Sequence, residues 1–262
     1  MKNILDKIRI DYSTYLLIIL GLFAGYIKNI FIILVIVIIH EFGHVFFFSL
    51  FNIEIDRIVI YPFGGMCKVN KKIHERIYKD ILISLGGVIF QLLLIIIVCL
   101  LYKWGFIVNS TYSMFLSYNS SIILFNMIPL IPLDGSKLLF SVFSKYLSYK
   151  KSYSMMVIIG SFFFILFVIY NMFFKLNDIV VCIFLLYSLF NFIKEYKFVM
   201  RKFYLERIIY DNYYDGIISD NYDIDKMRID KYYYYKEGDK YINEKKYLIK
   251  KSVGVFDNSW AK

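Results

Sequence analysis

The chain has 262 residues, of which 59% are hydrophobic and 20% aromatic, and its formal net charge is +10. So high an apolar content excludes an ordinary soluble domain and indicates a membrane protein with several spans. Basic residues at the ends of spans orient such a chain and contact anionic lipid, so the positive charge does not predict nucleic-acid binding. Cys67, Cys99 and Cys182 are too scattered for a disulfide framework or a metal site.

Six apolar runs could cross a bilayer, which takes about 20 residues of helix. They are Tyr12–Tyr26, Ile30–Phe51, Ile77–Leu101, Tyr112–Phe143, Met155–Phe174 and Ile179–Ile193. The first run is short, and we expect it to lie partly at the interface. The sequence therefore predicts an all-α polytopic membrane protein with about six transmembrane helices.

The basic residues are distributed unevenly over the connections between these runs. With six spans, one side carries the N-terminus, the connections after the second and fourth runs, and the Lys/Arg-rich C-terminal segment. The other side carries little beyond Lys28, Lys103 and Lys175. Because cytoplasmic segments are enriched in Lys and Arg, both termini are predicted to be cytoplasmic.

The second run contains the motif His40-Glu41-Phe42-Gly43-His44 as nearly its only polar content. Residues four apart lie on one face of a helix, so both imidazoles can bind one metal ion, and the adjacent Glu41 can hold the attacking water. Ionisable side chains are costly in hydrocarbon and usually mark function there. We interpret the motif as a metal site rather than an accidental pair of polar residues.

The segment from Ile53 to Asn70 alternates apolar and polar residues, and Pro62-Phe63-Gly64-Gly65 supplies a turn. This pattern predicts a short β-hairpin at the membrane surface; a soluble connecting loop is the alternative. An extended substrate can add to such an edge as another strand. The hairpin around Phe63 and Gly64 is therefore a candidate for substrate binding.

A zinc hydrolase needs a third protein ligand. His74 lies in a basic loop and is better explained as a solvated side chain. Asp134 is the stronger candidate because Pro129 and Pro132 interrupt the fourth run before it, and broken backbone at membrane depth is tolerated only against protein or a wet cavity. An acid beside such a break is a functional candidate, with a helix-capping aspartate as the alternative. In the six-span arrangement Asp134 and the histidines reach a similar depth near the cytoplasmic face.

The composition changes after residue 200, where Tyr, Lys, Asp and Glu largely replace aliphatic residues. We therefore divide the chain into a transmembrane domain, 1–200, and a small cytoplasmic extension, 201–262. We expect the extension to be partly ordered and to pack on the membrane part or on a partner. Within it, Tyr232–Tyr235 is interpreted as a surface or strand patch.

The HEFGH motif, together with a later segment of the form N-x-x-P-x-x-P-x-D-G, resembles the site-2 protease family of intramembrane zinc metalloproteases. Residues 61–65 after the second run and 203–207 after the last resemble its sporulation branch, and the likeness covers about residues 1–210. Some members of that branch carry a nucleotide-sensing domain for which this tail is too short. The patch Ser84–Gly87, with Gln91, lacks the proline that relatives often have there and is interpreted as close helix packing.

The resemblance implies that His40, His44 and Asp134 bind one zinc ion. It implies that Glu41 takes a proton from the attacking water and passes it to the leaving amine, and that Asn126 helps to hold the substrate. Pro132 is a further candidate for substrate binding, with Phe63 and Gly64.

We therefore predict an intramembrane zinc endopeptidase that cleaves near the cytoplasmic face. The sporulation likeness implies a membrane-associated pro-sigma factor, pro-sigma-K, as substrate, cleaved on the mother-cell side of the membrane around the forespore, and membrane inhibitory proteins as further partners. A metalloprotease of another type would need a downstream Glu or His motif, and none matches. The remaining alternative is a non-proteolytic metal-binding transporter or scaffold, but a transporter should show internal symmetry and ligands in both halves, which the sequence lacks.

Overall fold

The computed structural model describes residues 8–61, 64–69, 77–170, 176–209, 216–219, 223–237 and 240–255. The chain divides into two compact units, each described by itself. The first lies within residues 1–71, 79–128 and 133–135. The second lies within residues 72–78, 129–132 and 136–262.

The first unit is built around the helices α1 (Tyr12–Phe23), α2 (Ile27–Leu50), α3 (Ile77–Lys103) and α4 (Asn109–Met127). Aliphatic and aromatic side chains of α2, α3 and α4 form one buried cluster, with Ile32, Ile36, Leu94, Val98 and Phe115 at its centre. The backbones of α2 and α3 touch, since a Cβ atom on Gly43 would fall 2.2 Å from the carbonyl oxygen of Gly86. The close helix packing predicted for the patch Ser84–Gly87 is confirmed at Gly86.

A three-stranded sheet adjoins this bundle, with β1 (Ile8–Ile10), β2 (Ile55–Tyr61) and β3 (Gly64–Val69) in that order. Strands β2 and β3 pair antiparallel, which confirms the predicted hairpin, while β1 pairs parallel with β2 and was not predicted. Ile53, Ile55 and Ile58 pack with Val45 and Phe48 from the end of α2. The hairpin is thereby anchored to the helix that carries the histidines.

The fourth apolar run is broken, as the prolines predicted. Helix α4 ends at Met127 and α5 (Asp134–Tyr146) begins at Asp134. The Ile131–Pro132 peptide bond between them is cis. Leu130, Ile131 and Leu133 are buried, so this non-helical stretch faces protein, the environment in which irregular backbone is tolerated in a membrane protein.

Four of the described helices are long and apolar enough to span a membrane: Ile27–Leu50, Ile77–Lys103, Tyr149–Tyr170 and Ile179–Ile209. Helix α1 has 12 residues and extends about 18 Å, short of a span. Helix α4, with 19 residues, is not among these four. The chain is a mostly helical integral membrane protein, as predicted, and the count of six spans stays a prediction.

The second unit contains most of α5, then α6 (Tyr149–Tyr170) and α7 (Leu176–Ile209), followed by a small sheet and a final helix. The sheet has the order β4 (Gly216–Ser219), β5 (Tyr232–Glu237) and β6 (Lys240–Asn243), and α8 (Glu244–Val255) follows it. The tyrosine run is a strand in which Tyr233 and Tyr235 are buried and Tyr234 is exposed. This is the period of two that a strand with one buried face requires.

The polar tail packs on α6 and α7 of its own unit. One buried cluster combines Tyr149 and Tyr153 of α6 and Met200 and Phe203 of α7 with five tail residues, Met227, Ile229, Tyr233, Tyr235 and Leu248. Helix α7 continues through residue 200 without a break. The division into domains 1–200 and 201–262 stays a prediction.

A buried ion pair joins α7 to the tail. Arg207 donates from Nη1 to Glu244 Oε1 over 2.6 Å, and the two side chains are each 1% exposed. Arg207 Nη2 also donates to the carbonyl oxygen of Lys231, and Glu244 Oε2 accepts from the backbone N–H of Tyr233. Burial raises the pKa of Glu244, although the Arg207 guanidinium opposes this change.

We expect Glu244→Leu to destabilise the tail by about 3–5 kcal/mol, because it leaves the Arg207 guanidinium buried without a countercharge. Lys150→Ala is the control: it removes the ion pair with Asp225, whose side chains are 40% and 52% exposed, and it should cost less than about 1 kcal/mol. Pulse proteolysis of the detergent-solubilised protein across a urea series measures both. Equal urea midpoints for the two variants would contradict a structural role of the buried pair.

Candidate metal centre

Helix α2 places His40 and His44 one turn apart on the same face, as their spacing predicts. Their rings lie edge to face with centroids 4.8 Å apart, and their Nε2 atoms are 3.2 Å apart. Both side chains are buried, with 4% and 8% of the residue exposed. The two Nε2 atoms are therefore available to one shared partner inside the protein.

Asp134, far along the chain, brings a carboxylate to the same point. Its Oδ2 atom lies 3.0 Å from Nε2 of His40 and 3.0 Å from Nε2 of His44. The following residue makes this approach feasible, because a Cβ atom on Gly135 would fall 2.3 Å from the carbonyl oxygen of Met127. The start of α5 can thus lie directly against the end of α4.

These three donors suit a metal ion. His44 Nδ1 is 2.7 Å from the carbonyl oxygen of Ile83, which can only accept, so the His44 proton is on Nδ1 and Nε2 carries a lone pair. Such a nitrogen at 3.0 Å from a carboxylate oxygen is repelled unless a cation or a proton lies between them. Tetrahedral zinc with bonds of about 2.0–2.1 Å holds its ligand atoms about 3.3 Å apart. The observed separations of 3.0–3.2 Å fit that ion.

Glu41, the predicted general base, follows His40 in the same turn of α2 and is 7% exposed. A carboxylate buried in an apolar helix is costly, so its position beside three metal-binding groups indicates a functional requirement. Within the described residues, His40, His44 and Asp134 form the one cluster of three His, Cys, Asp or Glu side chains close enough to hold a metal ion.

The residues predicted for substrate binding are less well defined. Asn126 is half-buried in the last turn of α4, and Pro132 is half-buried two residues before Asp134. Gly64 begins β3. Phe63 lies outside the described residues. So does His74, which the sequence analysis considered as a metal ligand. The substrate-binding roles of Phe63, Gly64, Asn126 and Pro132 stay predictions.

Sequence reasoning missed two parts of the site, which it had assigned to helix packing. A Cβ atom on Gly87 would fall 2.3 Å from Cε1 of His40, so this glycine makes room for the imidazole. Gln91 Oε1 lies 2.9 Å from His40 Nδ1, and Gln91 Nε2 donates to Asn119 Oδ1 over 3.1 Å. Amide side chains inside two predicted spans were a signal, because polar groups at membrane depth need partners.

Comparison with known proteins supports the same chemistry. The family model of peptidase family M50 matches residues 28–109, which contain both histidines and end before Asp134. Stage IV sporulation protein FB of Bacillus subtilis (strain 168) is 29% identical over 208 residues, which cover 78% of this chain and 72% of that protein. A zinc metalloprotease of Methanocaldococcus jannaschii is 25% identical over 164 residues, which cover 59% of this chain and 47% of that protein.

A solved structure has the same fold. The site-2 protease from Methanocaldococcus jannaschii matches with a TM-score of 0.55 and 23% identity, over 70% of this chain and 89% of that one. The resemblance inferred from the two motifs is thus confirmed, and a transporter or scaffold is not supported. Residues 28–109 are similar to peptidase family M50, and the comparisons together support an intramembrane zinc metalloprotease of the site-2 protease type.

Proposed function

We propose that this chain hydrolyses a peptide bond of a membrane-associated protein at the site formed by His40, His44, Asp134 and Glu41. The observation that carries the proposal is the convergence of three buried donor atoms at 3.0–3.2 Å from one another. His40, His44 and Asp134 would hold one zinc ion. When bound, zinc supplies Lewis-acid polarisation of the scissile carbonyl and activation of water.

Glu41 supplies the proton transfers in this proposal. It takes a proton from the attacking water and delivers it to the amine that leaves, so one carboxylate acts first as base and then as acid. Its place in the same helix as His40, one residue away, keeps it close to the proposed metal. Its burial, at 7% exposure, keeps competing water away from the carboxylate.

The substrate must present an extended segment, because peptide bonds inside a helix are shielded. Among the described residues, β3 is the last strand in the order β1-β2-β3, and an extended peptide can add to such an edge. Gly64 and Phe63 would then meet the substrate at the start of β3. Asn126 lies just before the broken segment and Pro132 lies within it, and both residues would help to hold the peptide.

The name of the Bacillus relative suggests a role in sporulation. The substrate we propose is a pro-sigma factor, pro-sigma-K, with a membrane-associated pro-segment that is cut near the cytoplasmic face. Both termini would be cytoplasmic, on the mother-cell side of the membrane around the forespore. Residues 1–200 would carry the protease activity and residues 201–262 would form the cytoplasmic extension. Membrane inhibitory proteins are the further partners of this proposal.

We expect Glu41→Gln to retain zinc and to lower the cleavage rate by about 10²–10⁴, because it removes the group that moves the proton. Co-expression with an epitope-tagged pro-sigma-K, followed by gel analysis of product size and by zinc analysis of the purified protease, measures both. Glu54→Gln makes the same chemical change at an exposed position and should leave cleavage intact. A Glu41→Gln enzyme that cleaves like the wild type would rule out this role.

We expect Asp134→Ala to weaken zinc binding by more than about 100-fold, since loss of an outer partner of a ligand alone costs 10–100-fold. A chelator competition assay on the purified chain measures the dissociation constant. Asp56→Ala, at an exposed position in β2, should leave the constant unchanged. Full zinc affinity in Asp134→Ala would show that another residue is the third ligand.

A further inference from the structure

Two buried amides on neighbouring helices connect to the back of the His40 ring. We propose that Gln91 and Asn119 are positioning residues that hold His40 in the tautomer whose Nε2 atom can bind the metal. This inference rests on His40 being a ligand in the proposed function. Both amide residues are 0% exposed, Gln91 on α3 and Asn119 on α4.

Hydrogen bonds connect Asn119 to Gln91 and Gln91 to His40, and we call this chain of bonds the relay. A main-chain carbonyl group fixes its direction. Asn119 Nδ2 is 3.4 Å from the backbone carbonyl oxygen of Gln91. That oxygen can only accept, so the amide nitrogen of Asn119 must face it. Asn119 Oδ1 is then turned to Gln91 Nε2, 3.1 Å away, which donates to it.

The same direction continues to the histidine. With Nε2 of Gln91 committed to Asn119, Oε1 of Gln91 faces His40 Nδ1 at 2.9 Å. An amide oxygen only accepts, so the proton of the neutral imidazole is on Nδ1. Its Nε2 atom therefore carries the lone pair, and it is this atom that lies 3.0 Å from Asp134 Oδ2.

Helix α3 is adapted to this ring at two positions one turn apart. Gly87 has no side chain where the ring edge passes, since a Cβ atom there would fall 2.5 Å from His40 Nδ1. Four residues later, on the same helix face, Gln91 supplies the acceptor. The space for the ring and its orientation thus come from one face of α3.

The first unit also contains a hydrogen bond that joins two helices without contacting a metal-binding residue. Asn29 donates to Tyr118 Oη over 2.5 Å, a partly buried hydrogen bond that joins α2 and α4 without involving a metal-binding group. Interhelical hydrogen bonds of this kind contribute about 0.6 kcal/mol on average in a membrane protein. Gln91 adds a contact with a histidine nitrogen, which the Asn29 bond lacks.

The test compares Gln91→Leu with Gln91→Glu in the full-length protein. Both substitutions remove the N–H that Gln91 donates to Asn119, but only glutamate keeps an oxygen that can accept from His40 Nδ1. We expect Gln91→Leu to weaken zinc binding by about 10–100-fold, and Gln91→Glu to restore most of that loss. Asn29→Leu is the control for losing an interhelical bond and should leave zinc affinity unchanged.

The metal-free protein gives an independent measurement. The chain has three histidines, so ¹⁵N-histidine labelling yields few NMR signals, and His40→Gln identifies those of His40. We expect the wild type and Gln91→Glu to carry a proton on Nδ1 of His40, and Gln91→Leu to lose this preference for Nδ1. The wild-type spectrum by itself tests the inference and needs neither zinc nor a substrate, so the measurement remains decisive if Gln91→Leu fails to fold.

Two results would overturn the inference. One is a wild-type His40 whose Nδ1 carries no proton in the metal-free protein. The other is equal zinc affinity of Gln91→Leu and Gln91→Glu. That result would mean that the relay joins the helices without orienting His40. Neither result depends on proteolysis. Failure of the proposed function would appear separately, as undiminished zinc affinity in Asp134→Ala or as cleavage by Glu41→Gln.

Discussion

The first unit depends on one electrostatic requirement: two imidazole nitrogens and a carboxylate oxygen lie within 3.2 Å of one another in the protein interior. Electron-rich atoms held this close repel each other unless a positive charge lies between them. In an apolar interior that repulsion is screened weakly. The site therefore requires a cation or a proton at its centre, together with packing that holds the three groups in place.

Glycine contacts supply much of that packing. Gly43 meets Gly86, Gly87 meets the His40 ring, and Gly135 meets the carbonyl group of Met127, each at a distance that a Cβ atom would violate. In a bilayer, helix association relies on close van der Waals packing and hydrogen bonds, because lipid is as apolar as the side chains. Small residues at these points let backbones approach until ligands from α2 and from the start of α5 share one centre.

The parts of this site that sequence predicted are those encoded locally. The spacing of His40 and His44 fixes a helix face, and the prolines before Asp134 forbid a continuous helix. The relay was not predictable in the same way, because an amide inside an apolar run shows that a partner exists without showing which one. Strand β1 has three residues, which is too short to show the alternation of apolar and polar residues that identifies a strand. The tail sheet was predicted only in part, through the interpretation of Tyr232–Tyr235 as a surface or strand patch, because the residues buried on β5 are tyrosines and not aliphatic residues.

The two histidines are held by acceptors of different kinds, and this difference has a chemical consequence. His44 donates to the main-chain carbonyl of Ile83, which no side-chain substitution at that position removes. His40 donates to the Gln91 side chain, whose orientation depends on Asn119. A carboxylate partner makes a histidine ligand more basic, whereas neutral acceptors leave it less electron-donating. With an amide behind one ring and a peptide carbonyl behind the other, Asp134 brings the one anionic ligand of this cluster. A metal ion bound by these three residues would keep more of its positive charge and would polarise a substrate carbonyl more strongly, which is what peptide hydrolysis requires.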